Sequence, residues 1–211
     1  MDVLVAGGHG KIARRLLKLL ADREHNARGL IRNPDHVRDL EAIGAHPVLC
    51  DLETDDVRPH VGGADALVFA AGAGPGSGAE RKRTVDLGGA LKCIQAAQEL
   101  GVARFVMVSA MGVRDSSRWP EAMRPYYAAK AAADEALVAS GLDWTIVRPG
   151  GLTDEPGTGK VDVSPVGSGQ IPRDDVALVL YHCLLADNTI RVGFDVISGP
   201  VPVEVAIRQS A

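Results

Sequence analysis

"VLVAGGHGKIARRLL", residues 3–17, decides the fold. An apolar run ends in Gly7, Gly8 and Gly10. Ile12, Ala13, Leu16, Leu17 and Leu20 then recur at helical spacing, with arginines and a lysine opposite. The pattern is a strand, a glycine turn and a helix. Glycine allows positive φ and has no Cβ, so backbone N–H groups can approach a phosphate at the helix N-terminus. Gly7, Gly10 and Ala13 give G-x-x-G-x-x-A, in which the small Ala13 lets the helix pack on its strand. The turn is therefore expected to hold a diphosphate, with Gly7, Gly10, Lys11 and Ile12 around it. A triphosphate loop is excluded, because Gly10-Lys11 and Gly159-Lys160 are followed by Ile12 and Val161 where Ser or Thr is required.

The alternation continues along the chain. Apolar runs at 2–6, 27–31, 46–50, 66–71, 104–109, 144–149 and 193–197 read as strands. Helical patterns lie between them at 11–22, 35–43, 80–100, 121–140 and 173–186. Apolar strands separated by helices predict a doubly wound parallel sheet, an α/β Rossmann fold with helices on both faces. No repeat or linker divides the chain, so residues 1–211 are expected to form one domain. Glycine-rich loops at 72–78 and 150–159 follow strand ends, where such a sheet binds its ligand.

Composition narrows the function. The 211 residues carry a net charge of −4, and the one dense basic run, Arg81-Lys82-Arg83, reads as a solvated patch, so no nucleic-acid partner is expected. No apolar stretch is long enough to span a membrane, and the first residues read directly into a strand rather than a leader. Cys50, Cys93 and Cys183 are odd in number, far apart and set among apolar residues, as in a reduced, cytoplasmic protein. The six histidines show no metal-ligand spacing, so no metal is expected.

The end of the second strand bears on the cofactor. A carboxylate there would bind the ribose diol of NAD, whereas an arginine suits the 2′-phosphate of NADP. The sequence has Arg32 and Asn33 in "LIRNP", with no carboxylate beside them, which favours NADP(H) over NAD(H). Asp51 and Leu52 in "CDLE" suit an adenine, Asp51 accepting from its amino group; alternatively Asp51 caps the next turn. Ala70, Ala71 and Gly72 keep the wall small where a dinucleotide would pass.

Together "GGHGKIARRL", "IRNP", "CDLE", "AAGAG", "ARFVMVSAMG", "YYAAKAAADEAL", "GLDWTIVRPGGLTDEPGTGKV" and "IPRDDVA" resemble the short-chain dehydrogenase/reductase superfamily. The narrower resemblance is to its atypical NAD(P)H-binding branch, which includes NmrA-like proteins and biliverdin reductase B/flavin reductase. That resemblance implies a catalytic trio of Ser109, Tyr126 and Lys130. Tyr126 and Lys130 are four residues apart, hence on one helical face. A nearby ammonium would lower the phenol from its usual value near ~10. Lys130 would also hold the nicotinamide ribose, and Ser109 would orient a carbonyl oxygen beside the cofactor. The resemblance further places Pro149 and Gly150 against the nicotinamide. Arg173 is read either as facing the substrate cleft or as pairing with Asp174 or Asp175.

Loops 72–83, 110–125 and 150–172, with Met111, Trp119, Met123 and Leu152, are expected to shape the substrate cleft. The functional reading is an NADP(H)-dependent oxidoreductase acting by hydride transfer on a small carbonyl, quinone or flavin-like substrate, with Tyr126 as proton donor. The alternatives are an NmrA-like cofactor sensor without catalysis, and a sugar-nucleotide epimerase or dehydratase. Monomer and homo-oligomer both remain open.

Overall fold

The computed structural model describes residues 1–74, 76–164 and 167–210. Pro75, Pro165 and Val166, inside two of the loops expected to face substrate, lie outside the described residues, as does Ala211. The strands are β1 (Asp2–Ala6), β2 (Asn26–Ile31), β3 (His46–Leu49), β4 (Ala66–Phe69), β5 (Arg104–Val108), β6 (Asp143–Pro149), β7 (Gly151–Thr153), β8 (Lys160–Val163), β9 (Gln170–Pro172), β10 (Val192–Ser198) and β11 (Val201–Pro202). The helices are α1 (Lys11–Ala21), α2 (Val37–Glu41), α3 (Arg58–Val61), α4 (Ala79–Arg81), α5 (Ala90–Leu100), α6 (Arg124–Ala139), α7 (Arg173–Leu185) and α8 (Val203–Gln209). A π-helical stretch, Lys82–Gly89, joins α4 to α5.

Nine strands form one sheet in the order β11-β8-β10-β6-β5-β4-β1-β2-β3. From β3 through β10 every pairing is parallel except that of β8 with β10, and β8 and β11 close one edge antiparallel. The expected doubly wound sheet is thus present. Its strand order reverses between β1 and β4, so their C-terminal ends open a crevice at that point.

Alternation along each buried strand feeds two cores. Val3 and Val5 of β1 face one side, with Leu16, Leu17 and Leu20 of α1 and Val176, Val179 and Leu180 of α7. Leu4 and Ala6 face the other, with Phe69, Phe105, Met107 and Leu137 of α6. Residues buried on both faces explain why these strands read as unbroken apolar runs. The predicted helix at 80–100 is helical throughout but contains the π-helical stretch, and Gly101 ends it at φ 73°, a left-handed cap.

Two features lock the geometry near the crevice. Gly29 of β2 lies so close to α1 and α2 that an added Cβ would stand 2.6 Å from Leu40 Cδ2 and 2.9 Å from Leu17 Cδ1. A buried ion pair fastens α6 to β6: Arg148 Nε donates to Asp134 Oδ2 at 2.8 Å, with both side chains 8% exposed. Burial pushes the Asp134 carboxyl up, against the pull of the Arg148 guanidinium.

Overpacking by Gly29→Ala should destabilise the fold by about 1–3 kcal/mol, read as a lower urea midpoint at unchanged slope. Asp134→Ala leaves a buried guanidinium without its partner and should cost about 3–5 kcal/mol. Replacing both partners with apolar residues, Asp134→Leu with Arg148→Met, should recover most of that loss in the same assay.

Candidate active site

The crevice between β1 and β4 is a cleft of about 320 Å³. Of the residues expected to bind the dinucleotide, Gly7, Gly10, Arg32, Asp51, Leu52, Ala70, Ala71 and Gly72 all line it. Gly7 has φ 81°, and a Cβ on it would stand 2.6 Å from Ala71 Cα, so only glycine allows the turn to meet the β4 end. Gly10 caps α1 without a side-chain acceptor, and the first turn of α1 contains no acid. The opening N–H groups of the helix are therefore left to an anion. This uncapped N-terminus, with the apolar walls of Leu52 and Ala71, fits a dinucleotide diphosphate with its flanking nucleoside.

Several expected residues have further partners. Asp51 Oδ1 accepts from the Glu53 N–H at 2.9 Å, which is the capping role weighed for it. Asn33 Oδ1 accepts from the Asp35 N–H at 3.0 Å and caps the short turn after β2. Lys11 is exposed and its ammonium binds Asp154, while Ile12 is half-buried on α1; neither lines the cleft. Pro149 is buried, its carbonyl accepting from the Met111 N–H at 3.0 Å. A Cβ on Gly150 would lie 2.3 Å from the Gly169 carbonyl oxygen, so the chain after β6 needs glycine there.

The sequence shows no carboxylate next to Arg32, yet folding brings one. Glu53, from the loop after the adjacent β3, stands 3.6 Å from Arg32 Nη1 and 2.9 Å from Arg81 Nη2, and accepts from Thr84 Oγ1 at 2.6 Å. The Thr84 hydroxyl and the two guanidiniums hold the Glu53 carboxyl below the usual range. The reading of the basic run as a solvated patch is corrected here too. Arg81 lines the cleft, and Lys82 Nζ donates to the Gly74 carbonyl at 2.7 Å. Sequence reasoning also missed His9 and His36, whose rings stack with centroids 3.5 Å apart in the cleft wall while His9 Nε2 meets Asp39 at 2.7 Å. Their spacing carried no signal, because the stack joins two separate loops.

Two of the expected catalytic trio, Ser109 and Lys130, meet at the C-terminal end of β5, and Tyr126 lies one turn before Lys130 on α6. Ser109 follows the strand directly, its N–H bonded to the Val147 carbonyl at 2.8 Å. Its hydroxyl is buried with no hydrogen-bond partner among the described residues. Tyr126 is half-buried near the start of α6, its ring 5.5 Å from that of Tyr127 and 5.3 Å from Lys82 Nζ. Lys130, one turn on, is 4% exposed and donates to the Val108 carbonyl at 3.0 Å. Burial lowers the Lys130 ammonium, while the Asp86 and Asp134 charges raise it. Asp86, absent from the sequence reading, lies in the π-helical stretch, 1% exposed and 3.9 Å from Lys130 Nζ. The Tyr126 phenol is pushed up, first by burial and then by the Asp86 charge. The expected lowering by Lys130 is not what this arrangement produces.

At the start of α7, Arg173 Nη1 pairs with Asp154 Oδ1 at 2.8 Å rather than with its neighbours. Asp174 pairs with Arg15 at 2.5 Å, and Asp175, buried, accepts from the N–H groups of Thr158 and Gly159. Met111 and Trp119 are half-buried and Met123 and Leu152 exposed. Trp119 stacks on Tyr127 at 5.8 Å.

Known proteins agree with this geometry. A family model described as NAD(P)H-binding matches residues 7–187. A Bacillus subtilis relative named "Uncharacterized sugar epimerase YhfK" is 41% identical over 99% of this chain and 100% of its own length. A solved structure from Bacillus halodurans, provisionally named an NAD-dependent epimerase/dehydratase, superposes with a TM-score of 0.95 at 42% identity over 99% of each chain. The oxidoreductase ylbE from Lactococcus lactis superposes with a TM-score of 0.89 at 28% identity, covering 98% of this chain and 95% of its own. The chain belongs to the NAD(P)H-binding family, whose Rossmann fold it shares with proteins named as epimerases and oxidoreductases.

Proposed function

We propose that the protein is an NADP(H)-dependent oxidoreductase that reduces a small carbonyl, quinone or flavin-like substrate. One observation carries the reading: half-buried Tyr126 precedes fully buried Lys130 by one helical turn, beside the strand end that carries Ser109. When bound, a reduced nicotinamide supplies the hydride. Tyr126 then supplies the proton to the substrate oxygen, and the buried Ser109 hydroxyl, set beside the Asp134 carboxylate, orients that oxygen. Lys130, fixed by the Val108 carbonyl, keeps the floor of the site cationic.

The choice of NADP(H) rests on Arg32 and Arg81. Two guanidiniums converge on the single carboxylate of Glu53, which holds them at the cleft while leaving a surplus of positive charge for a 2′-phosphate. The apolar character of Met111, Trp119 and Leu152 suits a flat carbonyl compound rather than a sugar.

Tyr126→Phe should lower NADPH-dependent turnover of a responsive quinone, carbonyl or flavin probe at least about a hundredfold, within the usual worth of a general acid. NADPH affinity, followed by nicotinamide fluorescence, should stay within about twofold. Full turnover in that variant removes the tyrosine mechanism. Arg32→Ala should weaken NADPH by about tenfold to a hundredfold, the value of one charge-assisted contact of about 1.5–3 kcal/mol, and leave NADH nearly unchanged. An equal loss for both cofactors would place the 2′-phosphate away from Arg32.

A further inference from the structure

We propose that the stacked imidazoles of His9 and His36 complete the anion site around Arg32 and take up a proton when NADPH binds, so that the pair helps to select the cofactor carrying a 2′-phosphate. The inference rests on the NADP(H) reading of the cleft and adds the residues that balance the charge of that phosphate.

The two rings come together from separate loops on the β2 side of the cleft. His9 lies in the glycine turn, and that turn is pressed on the end of β2, where the Gly8 N–H donates to the Leu30 carbonyl at 2.8 Å. Arg32 follows the last residue of the strand, and His36 ends the short helical turn Pro34–His36 just beyond it. The ring centroids are 3.5 Å apart, with the planes 8° from parallel, and both residues line the cleft together with Arg32. His9 Nε2 meets Asp39 Oδ2 at 2.7 Å, and this bond is the first cause holding the Asp39 carboxyl below its usual range. Asp39 is therefore the acceptor and Nε2 carries the hydrogen. Nδ1 of the same ring is the nitrogen left to gain one.

Charge creates the need for a proton there. Arg32 and Arg81 share the Glu53 carboxylate, so the three bring a surplus of one positive charge, and Asp51 lines the same cleft. That surplus falls short of a phosphate monoester, which carries about −1.5 to −2 at pH 7. Around the stack itself the charges are already matched. Arg14 of α1 stands 4.0 Å from Asp39 of α2, and Asp35, exposed, precedes His36 in its turn. Histidine is the side chain that can make up the difference, since its charge changes between about pH 5 and 8. Two imidazolium rings stacked this closely would repel each other. One proton on the pair is therefore what the anion draws in.

The direction of the pH dependence follows from linkage. A bound phosphate favours the charged imidazole, so NADPH affinity rises as the pH falls toward ~6.5, the ordinary value for histidine. Protonation of the phosphate itself acts in the opposite sense, because a monoanion is held less tightly. A rise on acidification thus belongs to the protein and not to the ligand. NADH lacks the group and shows neither effect.

The test titrates the full chain with NADPH and with NADH in phosphate-free buffer, following nicotinamide fluorescence. Between about pH 8.5 and about pH 6.5, NADPH affinity should tighten about three- to fivefold, the size of a nearby-charge effect on one imidazole, and NADH affinity should stay within about twofold. Calorimetry in two buffers of unlike ionisation heat should find net proton uptake with NADPH and none with NADH. His9→Phe with His36→Phe keeps two rings that can stack and removes the proton. NADPH affinity in that variant should be level or weaken on acidification. If it fails to fold, His9→Gln with His36→Gln replaces it under the same expectation, glutamine retaining a donor for Asp39. Wild-type NADPH affinity that is level or weakens on acidification overturns the inference, as does an unchanged profile in the folded double variant. Equal affinity for NADPH and NADH at every pH removes the NADP(H) reading and the inference with it. A preference for NADPH with a level profile removes the inference alone.

Discussion

The structure depends on how closely bare backbone can meet bare backbone at the end of β1. A Cβ on Gly7 would lie 2.6 Å from Ala71 Cα, and a Cβ on Gly8 would lie 2.8 Å from Gly29 Cα. These approaches draw the turn against both neighbouring strands at once. They set α1 across the sheet with its N-terminus uncapped and pointing into the crevice where the strand order reverses. A larger side chain at either position would part β1 from β4 or β2, and the cleft would lose its floor. The anion site is thus a by-product of packing: the N–H groups of Lys11, Ile12 and Ala13 at the helix start go unbonded because the residue at the cap is Gly10.

Charge is handled differently on the two sides of that cleft. At the end beside β2 and β3, Arg32, Arg81 and Glu53 are partly solvated, so their mutual attraction orders side chains more than it stabilises the fold. Under the β5 end the opposite holds. Asp86 with Lys130 and Asp134 with Arg148 are nearly dry pairs, and removing one member of either leaves a charge that water cannot reach. Both pairs involve α6, the helix that carries Tyr126. The helix is therefore held by electrostatics as well as by Ala133 and Leu137 in the core, which fits the positioning that the proposed role of Tyr126 demands.

What the sequence showed and what it hid follow from the range of the forces involved. The central strands β1, β4, β5 and β6 were legible because burial on both faces makes them nearly unbroken apolar runs, and Leu16, Leu17 and Leu20 made α1 equally plain. The strands β7, β8, β9 and β11 were not, since they have two to four residues each and form at a sheet edge or in a small ribbon where no pattern of alternation can accumulate. In the site, the glycine turn and the Tyr126–Lys130 spacing are local and could be read directly. Asp86, Glu53 and the His9–His36 stack could not, because each acquires its meaning from a partner on another element: Lys130 is 44 residues beyond Asp86, and Thr84 is 31 residues beyond Glu53. The sequence reading of Lys130 counted the cation on the helix and not the Asp86 carboxylate that folding brings against it.

The segment after β6 bears on what the cleft can accept. In this chain β8, β10 and β11 extend the sheet, and β7 pairs with β9 as a narrow ribbon beside it. That ribbon is clamped from below. Asp175 takes the N–H groups of Thr158 and Gly159, Asp174 takes Arg15, and Asp154 bridges Lys11 and Arg173. A stretch tied to α1 and α7 by so many polar contacts leaves Leu152 exposed on its outer surface. Polar groups already engaged with one another are poor hosts for the many hydroxyls of a sugar, since each would have to exchange an existing partner for a new one. The apolar, planar substrate proposed above asks for no such exchange and leaves unbroken the network that holds the ribbon in place.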